Sequence, residues 1–417
     1  MNTEICKYAL LGGKLGHSYS PLIHKKLGLP NYELLETVKE NLECMLQNQQ
    51  YKGFNVTIPF KCDVIELCDK VSDEAKEIGS VNTVVRNNDG SLSAYNTDID
   101  GFIYAAVSAG INFKDKKVLI LGSGGTSLTV QAASKKLGAT RITVVSRKGE
   151  VTYENLNAYL DSDIIINTTP VGMYPNNLDI LFNLELFTNC TGVMDVIYNP
   201  RRTSLIMAAE KREIPFVDGL PMLVYQAKRA EELFLGKSIP DNEAERVIRE
   251  IRAESGNIIL VGMPGSGKSA IGELIAKISG RKFVNVDTEI EKNVGKAIPE
   301  IFTENGEPTF REYEREETEK AGKLTGAVIA TGGGVVKDIR NYAPLHQNGR
   351  IYYIRRELSA LETDGRPLSK NLETLIQLQK EREHLYCDFA DKVIQNNLAL
   401  EEAARRIMED YNENIGH

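Results

Sequence analysis

The chain is 417 residues long, 42% hydrophobic and 26% charged, with a formal net charge of −8. That profile excludes a wholly disordered or fibrous chain and fits two to three globular domains. It offers no general basic field for nucleic acid or an anionic membrane, and the absence of Trp weakens stacked-base recognition, although 17 Tyr and 12 Phe remain.

The first hundred residues alternate strand and helix signals. YALLG and YKGFNVTIPF read as strands, SPLIHKKLGL and ENLECMLQNQ as helices, so residues 1–100 form an α/β lobe. KKVLILGSGGTSLTVQAASKKLG (116–138) then gives a strand, a glycine loop and a helix, and opens a second lobe over 101–220. RITVVSR, DIIINTTP and GVMDVIYNP add buried strands to it. MLVYQAKRAEELFLG and NEAERVIREIRAE read as helices, the latter stopping at Ser255-Gly256, so the main boundary falls at about 253–256. GNIILVGMPGSGKSAIGELIAKISG (256–280) repeats the strand, glycine loop and helix order and opens a further α/β unit over 256–417.

Cys6, Cys44, Cys62, Cys68, Cys190 and Cys387 include no CxxC pair and are too sparse for a disulfide scaffold. They read as reduced thiols of a cytoplasmic protein. The N-terminal stretch lacks the basic-then-apolar order of a signal peptide, and the longest apolar runs are strand-length.

The first glycine loop is Gly122-Ser123-Gly124-Gly125-Thr126-Ser127. Gly122 suits the tight turn and Gly124 and Gly125 the close approach of backbone to a pyrophosphate, which the following helix N-terminus favours. Glycines of this kind also serve purely steric ends in βα turns. The next strand ends in Ser146-Arg147-Lys148, where an NAD site would place an acid for the ribose 2′-hydroxyl. Two cations suit a 2′-phosphate, hence NADPH/NADP+, with NAD the alternative.

The segments GHSYSP (16–21), GFNVTIPFK (53–61), GSVNT (79–83), NTD (96–98), GSGG, NTTPVGM (167–173), YNP (198–200) and GLPMLVYQ (219–226) occur in the order typical of shikimate dehydrogenases, which the first 250 or so residues resemble. The resemblance implies a Rossmann-type NADP lobe and a substrate lobe completed by helices at about 221–252. It implies a Lys61–Asp98 acid/base dyad in which Lys61 protonates the alkoxide formed by hydride delivery. It also implies Ser18 and Ser20 on the substrate carboxylate, and Asn55, Thr57, Asn82, Asp98 and Gln226 around the ring. Bland readings exist for each: a surface ion pair for Lys61–Asp98, turn residues before Pro21 for the serines. LGGKLGHS lacks the proline usual in that motif.

Gly262-Met263-Pro264-Gly265-Ser266-Gly267-Lys268-Ser269 satisfies GxxxxGK[ST] between a strand and a helix. Such a loop cradles ATP phosphates: Lys268 reaches the β/γ oxygens and Ser269 meets Mg2+. Downstream, VDTEIEKNVGKAIPEIF (286–302), FREYE (310–314), TGGGVV (331–336), GRPL (365–368) and REHLY (382–386) resemble shikimate kinase, a P-loop α/β/α fold with a parallel sheet. The resemblance gives Asp287 the acceptor hydroxyl, Arg311 and Arg382 its carboxylate, Gly332, Gly333 and Gly334 a close backbone approach, and Arg366 a lid over the phosphates. The family's Asp-x-Asp reads Asn285-Val286-Asp287 here, which leaves Asn285 as a weak, water-mediated Mg2+ support. The lid stretch ALETDGRPLS is short, with Glu362 near the position of the family's further lid arginine.

The expected protein is therefore a bifunctional enzyme acting on 3-dehydroshikimate and then shikimate, with no nucleic-acid or membrane partner. The alternatives are a dehydrogenase with an impaired kinase half, quinate as the first substrate, and a non-enzymatic sensor. The presence of Lys61, Asp98, Lys268 and Ser269 argues against the last.

Overall fold

Short apolar runs with glycine-rich exits become the strands of three separate sheets in the computed structural model, which describes residues 7–16, 18–358, 372–397 and 399–415. The chain divides into two units, Met1–Ile248 and Arg249–His417. The division falls inside the helix Asp241–Ser255, a few residues before 253–256. The cause is local: the carbonyl of Ala253 accepts hydrogen bonds from Arg281 and Tyr411 of the second unit.

The first unit holds two sheets. One contains β1 (Lys7–Gly12), β2 (Tyr32–Glu36), β3 (Tyr51–Val56), β4 (Lys70–Val71), β5 (Thr83–Arg86) and β6 (Leu92–Tyr95) in the order β2-β1-β3-β5-β6-β4. β1 pairs parallel with β2 and β3, whereas β5 runs antiparallel to β3 and β6, so the sheet is mixed. The strand expected through Phe60 stops at Val56. Pro59 has no N–H for a ladder, and Ile58 is 68% exposed while Phe60 is buried, so the chain turns there.

The second sheet holds β7 (Lys117–Leu121), β8 (Arg141–Val145), β9 (Ile164–Asn167), β10 (Gly192–Asp195) and β11 (Phe216–Val217), all parallel, in the order β11-β10-β9-β7-β8. β9 (IIIN) is buried along its length, as a parallel strand covered on both faces must be. The chain leaves β7 in one direction for β8 and returns on its other side for β9. The glycine loop after β7 therefore lies at the switch point where open α/β sheets bind ligands.

The second unit repeats this logic with β12 (Asn257–Val261), β13 (Lys282–Asn285), β14 (Ala327–Ala330), β15 (Gly349–Arg355) and β16 (Lys392–Gln395), again all parallel, in the order β13-β14-β12-β15-β16. The α/β expectation, with one mixed and two parallel sheets, holds. Among the described residues no helix is long and apolar enough to cross a membrane, and Cys44, Cys62, Cys68, Cys190 and Cys387 are free thiols.

Candidate active sites

In the first unit the turn after β3 delivers Lys61, and the helix Asp98–Ser108 opens with Asp98, where unpaired backbone N–H groups favour an acid. Lys61 Nζ lies 2.5 Å from Asp98 Oδ2, with the two side chains only 12% and 9% exposed. Asn82 binds the other carboxylate oxygen: its Nδ2 lies 2.9 Å from Asp98 Oδ1 and 3.2 Å from Gln226 Oε1. Gln226 comes from the helix Gly219–Leu235, which packs closely because Gly101 faces it; a Cβ at Gly101 would reach 3.1 Å from Gln226 Cβ. The structure thus brings Lys61, Asn82, Asp98 and Gln226 together.

Ser18 and Ser20 sit side by side, Oγ to Oγ 3.2 Å. Tyr19 between them stands 5.0 Å, ring centre to ring centre, from Tyr198 of the YNP segment. The YNP segment thereby meets the GHSYSP segment. Thr57 is half-buried at the exit of β3. Asn55 departs from expectation. Its Nδ2 donates to the Asn82 carbonyl and to Thr83 Oγ1, and its Oδ1 accepts from Tyr32. With both N–H donors spent, it has none left for a ring hydroxyl, so it belongs behind the cluster.

The glycine loop leads into the helix Gly125–Lys136, whose N-terminus has no side-chain cap. Gly122 has a positive φ of 104° and Gly124 nothing within 4 Å of a would-be Cβ, which leaves bare N–H groups and open space, as a pyrophosphate requires. The stem of Lys61 lies 3.9 Å from a would-be Cβ on Gly125. Ser146 is half-buried just past β8, and Arg147 and Lys148 are exposed beyond it, beside the loop strand.

In the second unit a cleft of about 580 Å³ is lined by the loop (Gly265, Gly267, Lys268, Ser269), by Asp287, Arg311 and Glu314, by Gly332, Gly333 and Gly334, and by Arg356 and Arg382. Gly262, Gly265 and Gly267 hold positive φ values, a curl open to glycine. Lys268 Nζ bonds the carbonyls of Gly262 and Met263 at 2.9 and 3.0 Å, which keeps the ammonium over the loop. Asp287 and Glu314 flank Gly332: a Cβ there would sit 2.6 and 2.7 Å from their carboxylate oxygens. Arg311 Nη1 donates to Glu314 at 2.7 Å and Nη2 to Glu307 at 2.8 Å, and Arg382 Nη1 donates to the Gly333 carbonyl at 2.9 Å.

Glu314 and Arg356 are among the cleft residues that were not singled out from sequence. Glu314 stands one helical turn after Arg311, a spacing visible in FREYE. It is 1% exposed, burial pushes its carboxyl up, and its Oε1 has no hydrogen-bond partner. Arg356, just past β15, points Nη1 at the Gly265 carbonyl, 3.4 Å away. Arg366 lies outside the described residues, as do Gly365, Glu362 and His17.

Asn285, expected as a weak, water-mediated support for Mg2+, has a defined place in the structure. Asn285 caps the helix Val286–Val294: its Oδ1 accepts from the N–H groups of Asp287 and Thr288, and its Nδ2 donates to Ser269 Oγ at 3.1 Å. Its one oxygen is committed to the helix and its N–H face is turned to Ser269. Ser269 lines the cleft, and Asn285 meets it through its N–H face.

A dinucleotide-type loop beside a Lys–carboxylate pair, and separately a phosphate loop beside an arginine-lined acceptor cleft, define an oxidoreductase joined to a phosphotransferase. The family model "Shikimate dehydrogenase substrate binding domain" matches residues 10–84, and "Shikimate kinase" matches 264–412. The shikimate dehydrogenase (NADP(+)) of Caldicellulosiruptor bescii is 38% identical over 256 residues, 55% of this chain and 88% of the relative. That of Clostridium beijerinckii is 39% identical over 247 residues, 54% and 91% of the two chains. Among solved structures, a chorismate mutase/shikimate 5-dehydrogenase fusion protein from Clostridium acetobutylicum matches at 33% identity and TM-score 0.56, over 59% of this chain and 96% of its own. The Thermus thermophilus shikimate 5-dehydrogenase in complex with NADP(H) and shikimate matches at 30% identity and TM-score 0.53, over 59% and 99%. The chain belongs to the shikimate dehydrogenase family in its N-terminal part and carries a shikimate kinase domain in its C-terminal part. It is a bifunctional enzyme of the shikimate pathway.

Proposed function

We propose that the first unit reduces 3-dehydroshikimate to shikimate with NADPH and that the second phosphorylates shikimate at its 3-hydroxyl with ATP. The observation that carries the first step is the 2.5 Å Lys61–Asp98 contact, with Asn82 on the same carboxylate and the glycine loop against the lysine stem. NADPH bound at the glycine loop supplies the hydride. As the ketone becomes an alkoxide, Lys61 gives it a proton and Asp98 holds the ammonium in place. Ser18 and Ser20 donate to the substrate carboxylate, with Thr57, Asn82 and Gln226 orienting the ring. Arg147 and Lys148 hold the 2′-phosphate.

In the second unit Asp287 accepts the proton of the attacking hydroxyl and Arg311 and Arg382 grip the carboxylate of shikimate. Lys268 neutralises charge gathering on the transferred phosphoryl group. The N–H face that Asn285 turns to Ser269 also favours a second reading, a kinase half of reduced turnover.

The test supplies the purified chain with 3-dehydroshikimate, NADPH, ATP and Mg2+. Shikimate 3-phosphate is the expected product. Accumulation of shikimate alone would select the second reading, and absence of NADPH oxidation would overturn the proposal. Lys61→Ala is expected to abolish only reduction, and Lys268→Ala only phosphoryl transfer.

A further inference from the structure

A continuous chain of hydrogen bonds runs from Tyr32, on the edge strand β2, to the Lys61–Asp98 pair. Tyr32, at the start of β2, donates its hydroxyl to Asn55 Oδ1 at 2.7 Å. Asn55 Nδ2 reaches Thr83 Oγ1 at 3.1 Å, and Thr83 Oγ1 donates to Asn82 Oδ1 at 3.1 Å. Asn82 then donates to Asp98, which holds Lys61. Every member from Tyr32 to Asp98 is buried. At the other end, the ring of Tyr32 is stacked on His24 with centroids 4.0 Å apart, and His24 Nδ1 lies 3.3 Å from Glu231 Oε2. Glu231 and Gln226 lie on the same helix, so the path leaves the helix Gly219–Leu235 at Glu231 and returns to it at Gln226.

The chain has a direction. Asn82 Oδ1 accepts from both Thr83 and the Thr97 N–H, so its NH2 group is obliged to face Asp98 and Gln226. Thr83 Oγ1 accepts an N–H from Asn55 and keeps its own proton for Asn82 Oδ1 or for Thr97 Oγ1, each 3.1 Å away. Asn55 presents that N–H because Tyr32 occupies its oxygen. Thr97, whose N–H donates to Asn82 Oδ1 at 2.7 Å, shares in holding that amide, and buried networks of this kind act as a unit.

We propose that Tyr32, Asn55 and Thr83 are positioning residues for the dehydrogenase reaction: they touch no substrate, and they set the amide of Asn82 and through it the carboxylate that holds Lys61. The proposal rests on the dehydrogenase reading above. Tyr32→Phe removes one hydroxyl and keeps the stacked ring. Its kcat for ketone reduction is expected to fall about five- to twentyfold, the factor a lost buried hydrogen bond supports. The KM for NADPH and the stoichiometry of NADP+ binding are expected to stay at wild-type values, a split that simple loss of folded protein would not give.

Thr83→Val cuts the same path one link nearer the dyad. The double variant is expected to be no slower than the slower single variant, since a path cut twice is still one path. Tyr51→Phe, whose hydroxyl bonds Glu33 away from the path, serves as control. Should Tyr32→Phe fail to fold, the kcat of Thr83→Val decides in the same way. A kcat within twofold of wild type, or losses that multiply in the double variant and track lost NADP+ binding, would overturn the proposal. Wild-type protein that does not oxidise NADPH would instead overturn the dehydrogenase reading itself.

Discussion

Gly334→Ala isolates the seat of Arg311. Gly334 has φ −107° and ψ −2°, a negative-φ backbone open to alanine, so the substitution acts chiefly through its new methyl group. That methyl would lie 2.5 Å from Arg311 Nη2 and 2.6 Å from Cζ, and closer still to Nη1. Ordinary contact begins near 3.4 Å, so the guanidinium has to retreat by about 1 Å. A long side chain does this at small cost, below about 1 kcal/mol in stability. Recognition costs more. The 2.7 Å bond to Glu314 fixes the fork, and a displaced fork loses the geometry for a carboxylate. A charge-assisted hydrogen bond contributes about 1.5–3 kcal/mol, which corresponds to a KM for shikimate raised roughly 10- to 100-fold. Steady-state kinase kinetics with shikimate varied at saturating ATP give the number, and 3-dehydroshikimate reduction by the same sample is the internal control. An unchanged KM for shikimate, or equal losses for shikimate and ATP, would refute the placement of Arg311 on the acceptor.

Replacing Arg147 and Lys148 together by Ala is expected to raise the KM for NADPH about 10- to 100-fold and leave that for NADH within twofold, read from initial rates with each cofactor; equal changes for both would remove the 2′-phosphate role. Asn285→Asp keeps an oxygen on the helix cap and turns a second one toward Ser269, so half-saturation of the kinase by Mg2+ is expected at lower concentration, and an unchanged titration would sink that account. Hydrogen bonds from Lys337 and Arg311 hold the Glu307 carboxyl down at about 2, below its unfolded value near 4.3. Its stabilising effect is therefore complete above the unfolded value and lost as pH falls toward 2. Thermal melts of Glu307→Gln are expected to show a flatter acid slope than wild type between pH 5 and pH 2, and parallel slopes would contradict the pairing.

Local pattern carried the glycine loops, their strands and their helices, because each is specified within about twenty consecutive residues. The same holds for Lys61, Asp98 and the P-loop lysine, which arrive inside short motifs. What stayed hidden depends on partners far along the chain. Asn55 lies in a motif that suggests substrate contact, yet Tyr32 and Thr83 use up its amide. Asn285 reads as a weakened acid, and only the capped helix reveals which way its amide faces. Glu314 looks like one more helix charge until Asp287 and Gly332 are placed against it. Arg356 belongs to no motif and reaches its cleft because β15 ends beside the phosphate loop.

A Cβ on Gly125, the first residue of the glycine-loop helix, would lie 3.9 Å from the stem of Lys61, and this has a geometric consequence. The group proposed to deliver the proton and the loop proposed to seat the hydride donor face each other across a gap that one methyl group would fill. Their separation is set by the turn after Val56 and the start of the helix Gly125–Lys136. A methyl group at position 125 would fit there in ordinary contact, whereas a longer side chain would act as a shim. It would lengthen the span between the two reagents of a single reduction while leaving the chemistry of each intact.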